Sequence, residues 1–502
     1  MTSKVSGMLK DPLDPIIQAE MLAPNLIRDF PAALPLITKI NKAHVLMLLA
    51  RSILSNEHAR RLAGAILDLE AAGPSAFVLD PAREDPYFNY EATLIERVGS
   101  DIGGRVHIAR SRNDLYATMD RLRARTATLA ICQVMLDLRQ SLNEQIAQFS
   151  SVVMPGYTHL QPAQPVTFGY HLAGFAHALE RDYQRIVECL SRTNVSPLGA
   201  GAMAGTSFPI DREVTARSLG FEGVGPHAQD CIASRDYLVE LLSGLALTAT
   251  TLSRMAQDFF VMTTYEFQTL ELPDSVAQTS SMMPQKKNMS ALEVLRASAA
   301  QVLGAHVSAL SGLRATHYSF GFDACCDPFR WTWDALDGGR RAVVVARVVV
   351  EKCRPRPERA LALARANFST ATDLADLLVR EAGLSFREAH HLVGDVVRTA
   401  SARGLTAEQI DADLVAEQAK AMLGKSVHLS ADLVAQAVDP ELVVQARRNT
   451  GGPSNHDVRA MLNGLNARLK ADRSNLDGTI SRLNQADATL ENAIRALAGR
   501  AA

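Results

Sequence analysis

The stretch LYATMDRLRARTATLAICQVMLDLRQSLNEQIAQFS, residues 115–150, decides the fold class. It contains neither proline nor glycine, and its apolar residues recur mostly at helical spacing. These residues are Met119, Leu122, Leu129, Ile131, Met135, Leu138 and Leu142. The pattern predicts one helix of about 36 residues, roughly three times the mean length in globular proteins. A helix of that length with one apolar side needs partners along it.

Three further stretches have the same character. They span about residues 165–192, 234–265 and 291–313. Aromatic residues make up only 5% of the chain, which favours helix over sheet. The sequence therefore predicts an all-α fold, built as a bundle of long helices and extended by oligomerisation. The run AVVVARVVV, residues 342–350, has strand propensity, and the sequence leaves its state open.

Turn-rich segments divide the chain into three expected domains. PSAFVLDPAREDP (74–86) lies in a region of shorter helices, and CRPRPER (353–359) reads as a linker. We expect an N-terminal helical domain at 1–110, a central long-helix domain at 111–354 and a small C-terminal helical domain at 355–502. Beyond the linker, the pattern predicts shorter helices and a GGPSNHD turn at 451–457.

Composition narrows the class of protein. The 502-residue chain has a net charge of −2 and 47% hydrophobic residues, so a polyanion-binding surface is not expected. Its six cysteines have neither zinc-site nor disulfide-framework spacing, which fits a reducing cytoplasm. The N-terminal MTSKVSGMLKDPLDP lacks the apolar core of a signal peptide. We expect a cytoplasmic protein with neither a nucleic-acid nor a membrane partner.

Three polar islands interrupt the apolar helices. Island one is HIARSRND (107–114), island two is GYTHLQPAQP (156–165), and island three is TSSMMPQKKNMSALE (279–293). Island one precedes the first long helix, so Ser111, Asn113 and Asp114 are N-cap candidates. It is either a simple helix cap with two solvated arginines or an anion site, to which Arg110 or Arg112 would add a charge.

Islands two and three have a similar choice of interpretations. A lone histidine such as His159 is usually structural, but its pKa range also suits proton transfer. Ser290 and Glu293 fit a capping box, which explains Glu293 without any chemistry. Lys286, Lys287 and Asn288 nevertheless precede a helix start, where anions bind well, and a serine held there would act as a base. Together the islands predict a carboxylate-binding site with a serine and a histidine.

The islands also carry a family resemblance. TSSMMPQKKN is similar to the GSSxMPxKxN signature of the fumarase/aspartase superfamily. Three further blocks, HIARSRND, GYTHLQPAQPVTFGYH and SPLGAGAMAGTSFPIDRE (196–213), resemble its argininosuccinate lyase branch, as does TATDLADLLV (370–379). The match runs in the family's order from about residue 84 to about residue 405. It implies a three-domain all-helical homotetramer with a twenty-helix core, whose active sites each take the islands from three subunits, without cofactor or metal.

The resemblance further implies anti β-elimination across a C–N bond of an N-substituted aspartate, releasing fumarate and an amine. Carried over by position, Ser280 is the base, and Lys286 and Asn288 hold the substrate carboxylate. His159 pairs with Glu293 and supports the acid side. The remaining positions implied to bind substrate are Ser111, Arg112, Asn113, Thr158 and Ser281.

Departures from the family pattern concentrate at the amine end of the site. The N-terminal Trp-Gly-Gly-Arg-Phe run is absent, Thr279 replaces the signature glycine, and Met289-Ser290 replaces Pro-Asp. After the fourth long helix, the Tyr, Gln and Lys that meet the amino-acid end of argininosuccinate become Phe320, Cys325 and Pro328.

The loss of those polar partners favours another N-substituted aspartate, of the ethylenediamine-N,N′-disuccinate (EDDS) type, with Arg330 a candidate for its distal carboxylate. Argininosuccinate is the alternative substrate. A catalytically silent, crystallin-like structural protein is a third reading, against which the intact Ser280, Lys286, Asn288 and His159 argue.

Overall fold

The computed structural model describes residues 11–314 and 316–500. Residues 1–10 lie outside this range. They include most of the N-terminal stretch MTSKVSGMLKDPLDP, in which no signal peptide was expected. Helix accounts for 72% of the structure and strand for 5%, which confirms the all-α prediction. The described chain opens with the helices α1 (Pro15–Ile17), α2 (Ala23–Ala50), α3 (Asn56–Ala72), α4 (Pro86–Val98) and α5 (Ser100–Gly103). Helix α2, with 28 residues, is as long as the helices of the central region.

The region 15–50 is long and apolar enough to cross a membrane by length and composition alone. In the folded chain, 67% of its most apolar window is buried. Helix α2 packs against α3 and α4, with Ile37, Ile40 and Leu48 fully buried between them. This helix is therefore part of the core of the N-terminal region.

The central region carries five long helices. They are α6 (Arg112–Gln148), α7 (Phe168–Thr193), α10 (Asp236–Thr263), α11 (Ser290–Leu313) and α13 (Thr332–Lys352). Helix α10 packs against α7, α11 and α13, while α6 packs against α7 and α13. The bundle encloses one large apolar core. Three short helices lie between the long ones: α8 (Arg212–Ser218), α9 (Ala228–Ala233) and α12 (Phe322–Cys325).

Short strands connect these helices in two-stranded pairs. β1 (Val153–Thr158) and β2 (Gln161–Thr167) form an antiparallel hairpin, and β3 (Val195–Ser196) pairs in parallel with β4 (Gly223–Val224). β5 (Leu270–Glu271) pairs with β8 (Arg354–Pro355), and β6 (Gln278–Thr279) pairs with β7 (Lys287–Asn288), both antiparallel. Two of these pairs, β1–β2 and β6–β7, carry islands two and three.

The valine-rich run 342–350 lies inside α13, so the strand alternative is wrong. Val343, Val349 and Val350 are fully buried in the apolar core that α13 shares with α6, α10 and α11. β-branched residues disfavour helix by only a few tenths of a kcal/mol each. Burial of a valine side chain contributes roughly 1.5–3 kcal/mol, so packing decides the conformation of the run.

Six shorter helices follow the bundle: α14 (Pro357–Ala366), α15 (Ala371–Ala382), α16 (Phe386–Ala402), α17 (Ala412–Leu423), α18 (Ala431–Val438) and α19 (Pro440–Ala446). Helices α15 to α18 share a compact core of their own. The last helix, α20 (Asn455–Leu497), has 43 residues, whereas short helices had been expected to the end. It packs back along α6 and α7, and its Leu490 and Ile494 join the N-terminal core.

Candidate active site

Island one forms the start of α6. The Ser111 side chain accepts a hydrogen bond from the backbone N–H of Asn113 at 3.2 Å, and the backbone N–H of Ser111 donates to the Asp114 carboxylate at 2.9 Å. Of the three N-cap candidates, Ser111 is the cap. The second carboxylate oxygen of Asp114 accepts from the N–H groups of Gly199 at 2.9 Å and Gly201 at 3.1 Å. Asp114 therefore fixes island one to the 196–213 block.

Asp114 is fully buried, and burial raises its pKa to about 6 in spite of the three N–H donors. The loop that it holds has a strict backbone requirement at one position. Gly201 has φ +62°, and a Cβ there would lie 2.5 Å from the carbonyl oxygen of Gly205. The start of α6 and this loop thus form one preorganised unit.

Arg112 and Asn113 follow the cap and face a cavity. Arg112 donates from one Nη1 to Glu84 and to Asp85, both at 2.7 Å, and its guanidinium lies 4.2 Å from the ring centroid of Phe88. Asn113 donates to the carbonyl oxygen of Ala202 at 3.1 Å. Two carboxylates surround a single guanidinium here, so this end of the cavity has an excess of negative charge.

Arg110 packs on Tyr87 and does not line the cavity. Its side chain is buried and donates to the hydroxyl of Tyr87 at 3.0 Å, and its guanidinium lies 5.1 Å from that ring. Of the two arginines considered for island one, only Arg112 lines the cavity.

The cavity encloses about 530 Å³ between α2, α6 and the segment 320–333. Its wall is mostly apolar and is rich in aromatic side chains; examples are Met119, Leu238, Phe320, Phe322, Phe329 and Trp333. We call it the aromatic cavity. No residue of island two or island three lines it. It therefore joins island one to the segment that departs from the family pattern.

The residues singled out in that segment have different environments. Phe320 lines the aromatic cavity, and its ring lies 6.1 Å from that of Phe322. Cys325 is buried on the same wall, and Arg330 is exposed there. Pro328 instead faces α11, where a Cβ on Gly312 would lie 2.2 Å from its ring. Pro328 thus packs the segment onto α11 and does not line the cavity.

Island two is the tip of the β1–β2 hairpin. Thr158 pairs with Gln161, so His159 and Leu160 form a two-residue turn. Their φ angles are 55° and 57°, as in a type I′ turn, a position that normally takes asparagine and glycine. Thr158 and His159 are exposed. The chain thus keeps two residues in a disfavoured conformation at a solvent-facing tip, a feature that is common at functional sites.

Island three is a loop closed by the β6–β7 pair. Gln278 pairs with Asn288 and Thr279 with Lys287, so residues 280–286 protrude. The Ser280 hydroxyl oxygen accepts from the backbone N–H groups of Met282 at 3.3 Å and Met283 at 3.0 Å. Two donors directed at one oxygen stabilise negative charge on it. Ser281 is exposed beside it.

The two lysines of island three have different roles. Lys287 donates to the carbonyl oxygen of Leu272 at 2.6 Å and forms a salt bridge with Asp274 at 2.8 Å, which anchors the loop. The Lys286 side chain is exposed and has no hydrogen-bond or salt-bridge partner within residues 11–314 and 316–500. Asn288 donates to the carbonyl oxygen of Thr279 at 3.4 Å. Lys286 is the lysine that remains available for an anion.

The capping box expected at Ser290 and Glu293 is not formed. Helix α11 starts at Ser290 with Met289 as its N-cap, and no side chain caps it. In a capping box, the serine is the N-cap residue, and its hydroxyl accepts from the backbone N–H of the third helical residue. Ser290 is instead the first residue of the helix, one position after the N-cap. Glu293 is consequently exposed and unbonded to the helix start.

Several side chains of the aromatic cavity were missed in the sequence. Glu84 and Asp85 lie in a turn-rich stretch, and Asp120, Arg123 and Arg235 lie in or beside long helices, where charged residues usually face solvent. Arg235 is 1% exposed and donates to Asp120 at 3.1 Å. Only the arrangement of the helices brings these residues together, so no local pattern revealed them.

Comparison with known proteins places this arrangement in a family. A lyase family model matches residues 21–304, and an argininosuccinate lyase C-terminal model matches residues 368–445. The chain is 38% identical over 467 residues to argininosuccinate lyase 1 of Shouchella clausii, covering 93% of this chain and 94% of that protein. It is 39% identical over 437 residues to argininosuccinate lyase of Halobacterium salinarum, covering 87% and 88%.

A solved structure agrees with the sequence relatives. EDDS lyase in complex with formate matches with a TM-score of 0.87 and 32% identity, covering 97% of each chain. The family models, the relatives and this structure agree over nearly the whole chain. The chain therefore belongs to the argininosuccinate lyase branch of the fumarase/aspartase superfamily and is a fumarate-releasing carbon–nitrogen lyase.

Proposed function

We propose that the enzyme cleaves an N-substituted aspartate of the EDDS type into fumarate and an aminocarboxylate amine. The wall of the aromatic cavity carries the proposal. Where the family pattern has a hydroxyl and an amide for the amino-acid end of argininosuccinate, this wall presents Phe320 and Cys325. The third replacement, Pro328, removes a cation and packs against α11.

A guanidino amino acid in this cavity would lose several hydrogen-bond partners. Each lost bond costs roughly 1 kcal/mol, and more where the partner group stays buried. Three such losses predict at least about a hundredfold lower kcat/KM, since about 1.36 kcal/mol is a factor of ten. The neighbouring thiol of Cys326 does not replace the lost polarity, because burial raises its pKa to about 12 and keeps it protonated.

In the proposed mechanism, the deprotonated Ser280 oxygen takes the Cβ proton of the aspartate moiety. The C–H electron pair moves into the Cα–Cβ bond through an aci-carboxylate intermediate, the Cα–N bond breaks, and its electron pair leaves with the amine. The N–H groups of Met282 and Met283 support the charge on Ser280. Lys286 and Asn288 hold the carboxylate on which negative charge develops. His159, paired with Glu293, supports protonation of the amine.

The proposed site needs more than one chain. The His159 tip, the Ser280 loop and the aromatic cavity are separate features of a single chain, and His159 forms no salt bridge with Glu293 within it. Helix α11, which starts beside the Ser280 loop, leaves apolar side chains exposed by about half: Val294, Leu303, Val307 and Leu310. Such a face is typical of an oligomer interface. We therefore propose a homotetramer in which three subunits supply each site, with Thr158, Ser111 and Ser281 also contacting substrate.

The argininosuccinate alternative rests on sequence identity. The two relatives with that name described above are 38% and 39% identical to this chain, against 32% for the EDDS lyase structure. Overall identity follows the shared core, however, whereas the choice of amine depends on the cavity wall.

The free cysteines of the described chain are mostly buried, in accord with a reducing, cytoplasmic location.

The deciding experiment compares kcat/KM for EDDS and for argininosuccinate on one preparation, with fumarate formation followed by absorbance. We expect at least about a hundredfold preference for EDDS. Equal or better use of argininosuccinate would replace EDDS by argininosuccinate as the assigned substrate. Fumarate release from neither compound would reject both.

A further inference from the structure

The aromatic cavity contains two arginines that form no salt bridge within the described residues. Three of its arginines have acid partners: Arg28 bonds Asp29 at 2.8 Å, Arg112 bonds Glu84 and Asp85, and Arg235 bonds Asp120. Arg123 and Arg330 also line the cavity, yet neither forms a salt bridge or a side-chain hydrogen bond with another residue of the described chain. These two guanidinium groups are available to an anion.

Both arginines are held by indole rings. The Arg123 guanidinium carbon lies 4.1 Å from the ring centroid of Trp333, and that of Arg330 lies 4.9 Å from the ring centroid of Trp331. A guanidinium that stacks on an indole uses its face for the contact and leaves its N–H donors free in the plane. Those donors form the fork that binds a carboxylate with two parallel hydrogen bonds.

Arg123 is the better positioned of the two. It is half-buried, and burial lowers its pKa although the nearby carboxylates of Asp120, Asp29 and Asp334 favour its charged form. A desolvated charge without a direct partner is costly in a folded protein, and a bound anion would remove that cost. Arg330 is exposed. Asp327, three positions earlier, also lines the cavity, and its carboxylate forms no salt bridge within the described residues.

The cavity is therefore polar in a directional sense. Glu84 and Asp85 share Arg112 at the end next to Asn113, so that end favours a cation. Arg123 lies eleven positions after Arg112 on α6, which places it about 16 Å further along the helix axis, and Arg330 lies on the segment 320–333. A molecule with an amino group, an apolar spacer and a distal carboxylate matches this distribution of charge.

We propose that Arg123, held against Trp333, binds a second carboxylate at the far end of the leaving amine, with Arg330 as an auxiliary cation at the rim. This inference rests on the proposed function, in which the amine is cleaved from an aspartate moiety. It goes further because it names Arg123 as the specificity-determining residue and a spaced amino acid as the class of amine.

The test runs the reaction in the direction of addition, with fumarate and a series of ω-amino acids of increasing chain length, each compared with its own carboxamide. The consumption of fumarate gives kcat and KM for every amine. Within one enzyme preparation, the acid-to-amide ratio of kcat/KM does not depend on the fraction of folded protein. We expect the wild type to favour the acid by about ten- to a hundredfold at the best length, the effect of a charge-assisted hydrogen-bond pair.

Three variants locate the effect. Arg123→Gln should bring the acid-to-amide ratio close to one, mainly through a higher KM for the acid. Arg123→Lys should retain part of the preference, because it keeps the charge and loses the fork. Arg341→Gln is the matched control, since Arg341 is exposed on α13 and bonds Asp337 at 3.2 Å, and it should leave the ratio unchanged.

The outcomes separate the two proposals. An active wild type that uses acids and amides equally, or an Arg123→Gln variant that keeps the wild-type ratio, overturns the role of Arg123 and leaves the lyase assignment in place. A wild type that adds no amine to fumarate and cleaves neither EDDS nor argininosuccinate overturns the proposed function itself.

Discussion

Two regions of the proposed active site differ in how the chain supports them. Island one is fixed by buried hydrogen bonds, since Asp114 holds the start of α6 to Gly199 and Gly201. Islands two and three end in exposed tips, and the side chains of Thr158, His159 and Lys286 have no partner within the described residues of the chain. A single chain thus forms the aromatic cavity, in which we propose that the amine binds, whereas the groups proposed for proton transfer have no side-chain partner within its described residues.

The comparison predicts that the exposed half carries the chemistry. Ser280→Ala removes the proposed base and should lower kcat by several orders of magnitude, with the oligomer intact by size-exclusion chromatography with light scattering. Ser275→Ala is the control, because Ser275 is exposed in the neighbouring segment and has no proposed role. Near-normal turnover by Ser280→Ala would show that another group takes the proton.

Mixing two inactive variants tests whether the exposed tips belong to different subunits. Ser280→Ala and a Thr158→Ala/His159→Asn double variant should each be nearly inactive. After co-refolding in equal amounts, a site that draws the two tips from different subunits has an intact pair in about a quarter of cases. Activity should therefore return to roughly that share of wild type. A mixture as inactive as its components, or a fully active monomer, would refute sites shared between subunits.

The fixed half should respond to pH through Asp114. Its pKa is about 6 in the folded protein, above the ordinary value of 3.8, so the folded state binds more protons than the unfolded state between about pH 4 and pH 6. Its contribution to stability is therefore greatest below about pH 4 and falls as the pH rises to about 6, by an amount on the order of 3 kcal/mol.

Asp114→Asn should remove that pH dependence and also weaken the hydrogen bonds to Gly199 and Gly201. The free energy of unfolding by urea, measured from pH 4 to pH 7, should be lower than that of the wild type, and the gap should narrow as the pH rises. Asp477→Asn, at an exposed position on α20, is a control that should follow the wild-type profile. A gap that widens with pH would mean that the ionised carboxylate stabilises the fold.

The sequence predicted the long helices well because their apolar residues recur over many turns. The helix expected at 115–150 forms at 112–148, and the one expected at 291–313 forms at 290–313. Helix α20 escaped prediction because its buried apolar residues are sparse. They are Val458, Leu465, Leu469, Leu476, Leu490 and Ile494, spread over 43 residues. Its stability depends on the α6 and α7 surfaces that it covers, and these are invisible in its own sequence.

The candidate site shows the same division. Residues within contiguous motifs, such as Ser280 and His159, were identified from the sequence, and their roles stay predictions. The aromatic cavity was not foreseen, because its walls come from α2, α6 and the segment 320–333, which are far apart along the chain. The guanidinium carbon of Arg123 lies 4.1 Å from the ring centroid of Trp333, although about 210 positions separate the two residues in sequence. Only tertiary packing shows that these two residues are neighbours.

The smallest expected effect concerns the turn that presents His159. Leu160 is 75% exposed and has φ 57°, a conformation that costs a residue with a Cβ roughly 1 kcal/mol. Leu160→Gly removes this cost but gives the unfolded chain more freedom, so the net gain in stability should lie between 0 and about 1 kcal/mol. Leu160→Ala keeps the Cβ and is the matched control, with no expected gain. Urea unfolding measures the stability of both variants, and their kcat should stay near wild type, because the backbone that positions His159 is unchanged. A Leu160→Gly variant that is less stable than Leu160→Ala would show that the tip is held by contacts that a single chain does not reveal.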